Sequence, residues 1–174
     1  MDFKNEQLDT SLIPSSEHVT FEKLDPAYKK VTIYITLIGF GVMLLLYLII
    51  GFFIKNLFDF PWIFIFILGW ILITGMFLIL AIKGYEYEGY AIREKDILYK
   101  SGIFFRSTLI IPFNRVQHCE IEQGPIDRFF GLSELSLFTA GGSGSDLSIP
   151  GLSESKASSL KNFITNRVVQ DEEG

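Results

Sequence analysis

The sequence predicts a membrane-embedded helical hairpin followed by a small all-β module, a barrel or sandwich with one helix over an opening. Three observations carry this. Two uncharged apolar runs stand back to back, Val31 to Ile54 with 24 residues and Phe60 to Ile82 with 23. About 20 apolar residues span the ~30 Å hydrocarbon core of a bilayer. After Gly84 the pattern changes to short alternating segments punctuated by Gly and Pro, which reads as strands and turns. The chain then ends on one amphipathic stretch, from about Ser153 to Val168.

The polar arm, residues 1–30, is mixed in charge and reaches no apolar core quickly. It does not read as a signal peptide, so the first span is expected to stay as an uncleaved anchor. Phe21, Leu24 and Tyr28 are expected to form a short turn leading to the membrane. Neither apolar run, 31–54 or 60–82, keeps the polar stripe of a soluble helix. Gly39, Gly41, Gly51, Gly69 and Gly75 would weaken a soluble helix, but in a bilayer small residues let helices approach closely. Trp62, near the start of the second run, fits an interfacial anchor. Trp70, in its middle, is read as packing. Lys29 and Lys30 precede the first span and Lys83 follows the second, whereas the connecting loop, 55–59, has only Lys55. Lys and Arg collect on the cytoplasmic side, so both termini are expected there.

In the module, expected from 84 to 168, Tyr85 to Ile92 alternates and reads as a first strand. Ile97 to Lys100 follows a polar Glu94-Lys95-Asp96 turn. Phe104 to Ile111 is rich in aromatic and β-branched residues, and Pro112 ends it. Arg115 to Glu122 is a fourth strand. Gly124-Pro125 breaks it, and IDRFFGL (126–132) reads as one helical turn with Phe129 and Phe130 packing. Glu134 to Thr139 and Leu147 to Ile149 flank a flexible Gly141–Ser145 loop. Ser153 is a plausible N-cap, and Ala157, Leu160, Ile164 and Val168 form one apolar stripe. An acidic tail, 169–174, closes the chain.

These residues resemble a bacterial pleckstrin-homology (PH) domain of the YdbS-like, membrane-flanked type. The resemblance rests on YAIREKDILYKSGIFFRS, then IPFNRVQHCEIEQGPIDRFFGLSELSLFTAGG, then IPGL before the helix. It implies a PH-like β-barrel of about seven antiparallel strands closed by the C-terminal α-helix. The residues alone supply six strands, so the seventh is sought in Tyr85–Ile92 or after Pro125. The resemblance also implies a bacterial inner membrane, no shared catalytic residues, and assembly with another membrane protein carrying PH-like domains, or with itself.

No chemistry is expected of the candidate reactive groups. His118 and Cys119 are adjacent, so on a strand they point to opposite faces and cannot share an ion. His18 lies apart in the arm. With one cysteine, no internal disulfide is possible. Ser143 and Ser145 lack the strand-to-helix setting of a nucleophile elbow, and GGSGSD lacks the Lys of a phosphate loop. No enzyme activity, metal, cofactor or nucleic-acid partner is expected. Two binding surfaces remain. Lys83, Arg93, Lys95 and Lys100 are possible lipid-facing cations, although residues 83–115 carry a net charge of only +2, without the 4–8 clustered cations of a strong anionic-lipid site. Phe104 and Phe105, at the Gly102 turn, are possible partner-facing residues. Association near the membrane is the leading expectation, with headgroup recognition as the alternative.

Overall fold

A computed structural model describes residues 19–54, 61–140 and 145–172. The expected 55–59 loop, most of the polar arm with His18, and residues 141–144 of the Gly-rich loop lie outside that set.

Both apolar runs form helices longer than themselves: α1 is Pro26–Phe53 and α2 is Trp62–Tyr87. Each is long and apolar enough to cross a membrane, and almost none of its apolar window is buried. Asp25 caps α1, accepting from the Ala27 N–H at 2.8 Å, with Pro26 in the first turn. Proline suits that position because its missing N–H would have no helical partner. The helices pack through rings: Tyr47 stacks on Phe66 at 3.5 Å, and Trp70 meets Phe40 edge-on at 6.2 Å. Four of the five span glycines do not make this contact: a Cβ at Gly39, Gly41, Gly69 or Gly75 would meet nothing within 4 Å, so the close-approach role expected of these four is corrected, while Gly51 is buried.

The module begins earlier than expected and is built onto the helices. Residues 21–25 run extended beside it instead of forming a turn. Glu22 and Tyr90 exchange two backbone hydrogen bonds, 2.7 and 3.0 Å, and the Asp25 N–H donates to the Gly151 carbonyl at 2.8 Å. Leu24 is buried in the core, and Lys156 pairs with Glu22 at 2.8 Å. At the other end, Tyr85–Tyr87 belongs to α2 and not to a strand. The Tyr85 hydroxyl donates to the Leu24 carbonyl at 2.9 Å, tying the helix end to the arm. Only from Gly89 does the chain turn to β structure. A Cβ there would lie 3.0 Å from the Glu22 carbonyl oxygen, so the arm's approach favours glycine.

Two three-stranded antiparallel sheets follow. The first pairs β1 (Gly89–Ile92), β2 (Asp96–Ser101) and β3 (Ser107–Pro112) in that order. A 3-10 turn, Phe113–Arg115, leads into β4 (Val116–Glu122). The helical turn α3 is Pro125–Phe129, closed by Gly131 at φ +67. β5 (Leu132–Thr139) and β6 (Leu147–Ser153) complete the second sheet in the order β4-β5-β6. The expected closed, seven-stranded barrel is therefore corrected: among the described residues there are six named strands in two open sheets. β3 and β4 follow each other but do not pair, since the 3-10 turn takes the chain around a corner between the sheets. The arm partly supplies the missing strand on the other side, reaching from β1 toward β6.

The final helix, α4 (Glu154–Glu172), runs into the expected acidic tail. The Ser153 hydroxyl accepts from the Lys156 N–H at 3.4 Å. Ala157, Leu160 and Ile164 are buried against Phe113, Val116, Leu135 and Leu137, as the stripe predicted. Truncating a buried leucine costs about 2–5 kcal/mol. Leu160→Ala should lower the unfolding temperature of the detergent-solubilised chain accordingly. Asn162→Ala, on the exposed side, should change stability by less than about 0.5 kcal/mol. Equal losses would put the buried stripe elsewhere.

Candidate functional site

The surface offers four features: a hairpin tip, an open strand edge, a second aromatic turn and scattered cations. The tip joins β2 to β3. Gly102 has φ +100, and a Cβ there would collide with the Phe105 carbonyl, so glycine sets the turn. Phe104 and Phe105 project from it, 77% and 92% exposed. They do not enter the core. β3 accordingly starts at Ser107 and not at Phe104, because residues 102–106 are consumed by the turn. An open groove of about 410 Å³ separates the tip from α2, bordered by Leu80, Gly84 and Glu88.

β3 is an edge strand. It pairs β2 along its whole length on one side, and among the described residues no strand pairs its other side. Ile111 faces Ile97 in the core. Leu109 and Ile110, on opposite faces, are 41% and 42% exposed. An apolar edge strand with unpaired N–H and C=O groups is a template for another strand.

The aromatic turn at α3 forms as the sequence predicts, with one correction, at Phe129. Phe129 does not enter the core: it is 84% exposed and meets Phe130 edge-on at 5.3 Å. Phe130 packs on Tyr34 of α1 with ring centroids 5.6 Å apart. The Gln123 side-chain amide holds this turn down, donating to the Leu132 carbonyl at 3.0 Å and to the Ser133 hydroxyl at 2.9 Å. The available signal was the Arg-Phe-Phe order itself, which mirrors the Phe-Phe-Arg of the other tip.

The four candidate cations are not gathered. Arg93 forms a double hydrogen bond with Asp96, both contacts 2.6 Å. The Lys100 ammonium lies over the Phe21 ring at 5.6 Å. Lys83 is exposed on α2, and Lys95 is exposed in the β1–β2 turn. That turn lies at the far end of β2 from the Phe104–Phe105 tip, about 17 Å away at strand rise.

Near α2, Glu88 accepts a 3.3 Å hydrogen bond from the Tyr99 hydroxyl. Burial pushes the Glu88 carboxyl above the ordinary carboxylate range, and the Tyr99 bond draws it part of the way back. Burial, and then the Glu88 charge, raises the Tyr99 hydroxyl as well. Because the folded pKa of Glu88 is raised, its protonated form is favoured by folding. The associated stability is present below the unfolded value of 4.5 and is lost as pH rises through the folded value. Glu88→Gln should therefore flatten the fall of unfolding temperature above pH 4.5, leaving the variant no less stable than the parent at neutral pH. A variant weakened most at neutral pH would show that the charge is favoured.

Among the described residues of the module, no other side chains form a reactive constellation. His118 is exposed, stacks on Phe138 at 4.3 Å and lies 3.5 Å from Glu120. Burial raises the Cys119 thiol, which lowers its thiolate fraction. The Asp146 carboxylate closes the β5–β6 hairpin, accepting from the Thr139 N–H at 2.8 Å and hydroxyl at 2.6 Å. These bonds hold it below the usual carboxylate range. Among the described residues no three His, Cys, Asp or Glu side chains are placed to hold a metal.

The family described as "Bacterial PH domain" matches residues 33–168, from inside the first apolar run to α4. The UPF0699 transmembrane protein YdbS of Bacillus subtilis (strain 168) is 34% identical over 85 residues, 48% of this chain and 52% of that protein. The chain thus spans about half the length of this curated relative. A crystal structure of a DUF1696 family protein with a pleckstrin-homology domain, from Shewanella loihica PV-4, aligns at 20% identity with a TM-score of 0.37. That alignment covers 47% of this chain and 70% of the other.

Proposed function

The chain belongs to the bacterial PH domain family, and on that premise we propose that it presents a PH-like module at the cytoplasmic face of a bacterial inner membrane, joining other membrane proteins by strand addition to β3. In this reading α1 and α2 both cross the bilayer. Both termini are cytoplasmic, because Lys29, Lys30 and Lys83 outweigh the single Lys55 of the connection. No catalytic step is assigned.

The open edge of β3 carries the reading. Backbone pairing supplies affinity in strand addition, and side chains on alternate faces supply specificity. Leu109 and Ile110 offer one apolar side chain to each face. The opposite edge of the same sheet already accepts an extended segment, Glu22 against Tyr90. The partner that fits is the free strand edge of a second PH-like module. β3 is a better carrier of this contact than Phe104 and Phe105, which precede it at the tip. Recognition of anionic headgroups by Lys83, Arg93, Lys95 and Lys100 has less support, since Arg93 is neutralised by Asp96 and the four do not converge.

A single cysteine tests both the contact and the side. In a Cys119→Ser background, Thr108→Cys carrying a thiol-attached benzophenone should give a photocrosslinked adduct in native membranes, with the joined peptide being a strand of a PH-like module. Asn162→Cys on α4 should not, and adding Leu109→Lys and Ile110→Lys should remove the adduct. Membrane-impermeant maleimide should label unpaired Thr108→Cys in inverted vesicles only. Equal adducts at positions 108 and 162, or none at 108, would overturn strand addition. Labelling from the periplasmic side would overturn the orientation.

A further inference from the structure

Two loops of the module carry the same three-residue chemistry, and each lies against a different apolar helix. The β2–β3 tip reads Phe104-Phe105-Arg106, and the α3 turn reads Arg128-Phe129-Phe130. Three of the four rings, Phe104, Phe105 and Phe129, are more than three-quarters exposed. Such aromatic side chains grouped on a surface mark an interaction site.

The helix residues beside each tip tell what covers it. Leu80 borders the groove at Phe104 and Phe105. Tyr34 and Ile38 border an open groove of about 450 Å³ at Phe129 and Phe130. All three lie inside the uncharged runs. At 1.5 Å per residue, Leu80 is about 4–5 Å inward of Lys83, Tyr34 about 6 Å inward of Lys30, and Ile38 about 12 Å. Side chains packed beside them share that depth. Ile35 and Ile38 are themselves half exposed, so the groove at α3 continues the apolar surface that α1 offers to a bilayer. The flanking arginines complete the pattern. Arg106 and Arg128 are exposed, and the Arg106 guanidinium rests over the Tyr87 ring at 5.3 Å. A long arginine stem can lie along apolar surface while its charge stays in the headgroup layer.

We infer that the two tips are wedges inserted into the adjoining leaflet, with Phe104, Phe105 and Phe129 at the acyl-chain boundary and Arg106 and Arg128 level with the phospholipid phosphates. The attraction is apolar burial. It is not charge on the headgroup, so it needs no anionic lipid. Together with the hairpin, the wedges hold the module in one orientation on the membrane.

Fluorescence quenching in phosphatidylcholine liposomes tests this on the full chain. With Trp62→Phe and Trp70→Phe as background, one tryptophan is placed by Phe105→Trp, Phe129→Trp or, as a control on β4, Glu120→Trp. Phosphatidylcholine brominated high on the acyl chain should quench most of the emission of the first two, and aqueous iodide should quench little. The control should show the reverse, and high salt should leave the pattern unchanged. Iodide quenching at all three positions would place the tips in water. Protection from both quenchers would mean that protein, a second copy in these liposomes, covers them. Lipid quenching only after anionic lipid is added would hand the contact to charge. Each of these three results overturns the inference. Where the tryptophan background unfolds, Phe105→Cys and Phe129→Cys in a Cys119→Ser chain give the same reading. Slow labelling by water-soluble maleimide in liposomes, becoming fast in detergent, supports insertion, and equally fast labelling in both overturns it.

Discussion

A fragment that begins at Gly84 is expected to lose the cooperative unfolding of the full chain. It retains all six strands and α4, yet it lacks part of its own core. Leu24 comes from the arm, is 2% exposed and belongs to the main hydrophobic cluster. Burying such a side chain contributes about 1.5–3 kcal/mol. The fragment also lacks the two Glu22–Tyr90 backbone bonds and the bond from Asp25 to Gly151. Each such bond contributes about 1 kcal/mol net, and more is lost when the surviving partner stays buried. The sum approaches the total stability of a small domain, about 5–15 kcal/mol. Circular dichroism melting and hydrogen exchange of residues 84–174 should show weak protection in β1 and β6. Fusing residues 19–31 through a flexible linker should restore it. In the full chain, Leu24→Ala alone should cost about 2–5 kcal/mol. A fragment melting as sharply as the parent would make the arm peripheral.

Gly151→Ala is expected to be strongly destabilising. Gly151 sits in β6 at φ +62, and a Cβ there would run into the Tyr28 ring of α1. The left-handed backbone costs a non-glycine residue about 1–3 kcal/mol, and overpacking adds about 1–3 more. Gly131→Ala separates the two effects. It has φ +67, but its Cβ would meet nothing within 4 Å, so only the backbone part should be lost. Calorimetry should therefore place Gly151→Ala well below Gly131→Ala. Adding Tyr28→Ala should recover part of the Gly151→Ala loss, since residues in contact are not additive. Equal losses at the two glycines would mean that α1 is not seated on β6.

The sequence by itself determined the features that depend on local pattern. Two uncharged runs of 24 and 23 residues fix two apolar helices. The strands from Asp96 onward were legible in place because alternation and Gly or Pro breaks repeat within each segment, but β6 runs on through Pro150-Gly151 to Ser153, where that break had suggested its end. The stripe of Ala157, Leu160 and Ile164 was legible because one helix face repeats every three to four residues. Tyr85–Tyr87 failed at that level: three residues of Tyr-Glu-Tyr fit a strand or a helix, and a hydrogen bond from Tyr85 to Leu24, 61 positions away, goes with the helix. Tertiary structure alone decided the rest. The arm's place beside Tyr90 rests on pairing across 68 positions, which no local period encodes. Whether a sheet closes is a matter of which edges meet, so the open β3 edge was invisible until both sheets were in place. Phe129 looks like core in a linear reading, and Phe104 and Phe105 stand out there only as partner-facing candidates, because a phenyl ring is apolar whether it faces protein or lipid. Their place against Leu80 and Ile38 comes only from how the module is seated on its helices, and that seating separates a packed residue from an exposed one.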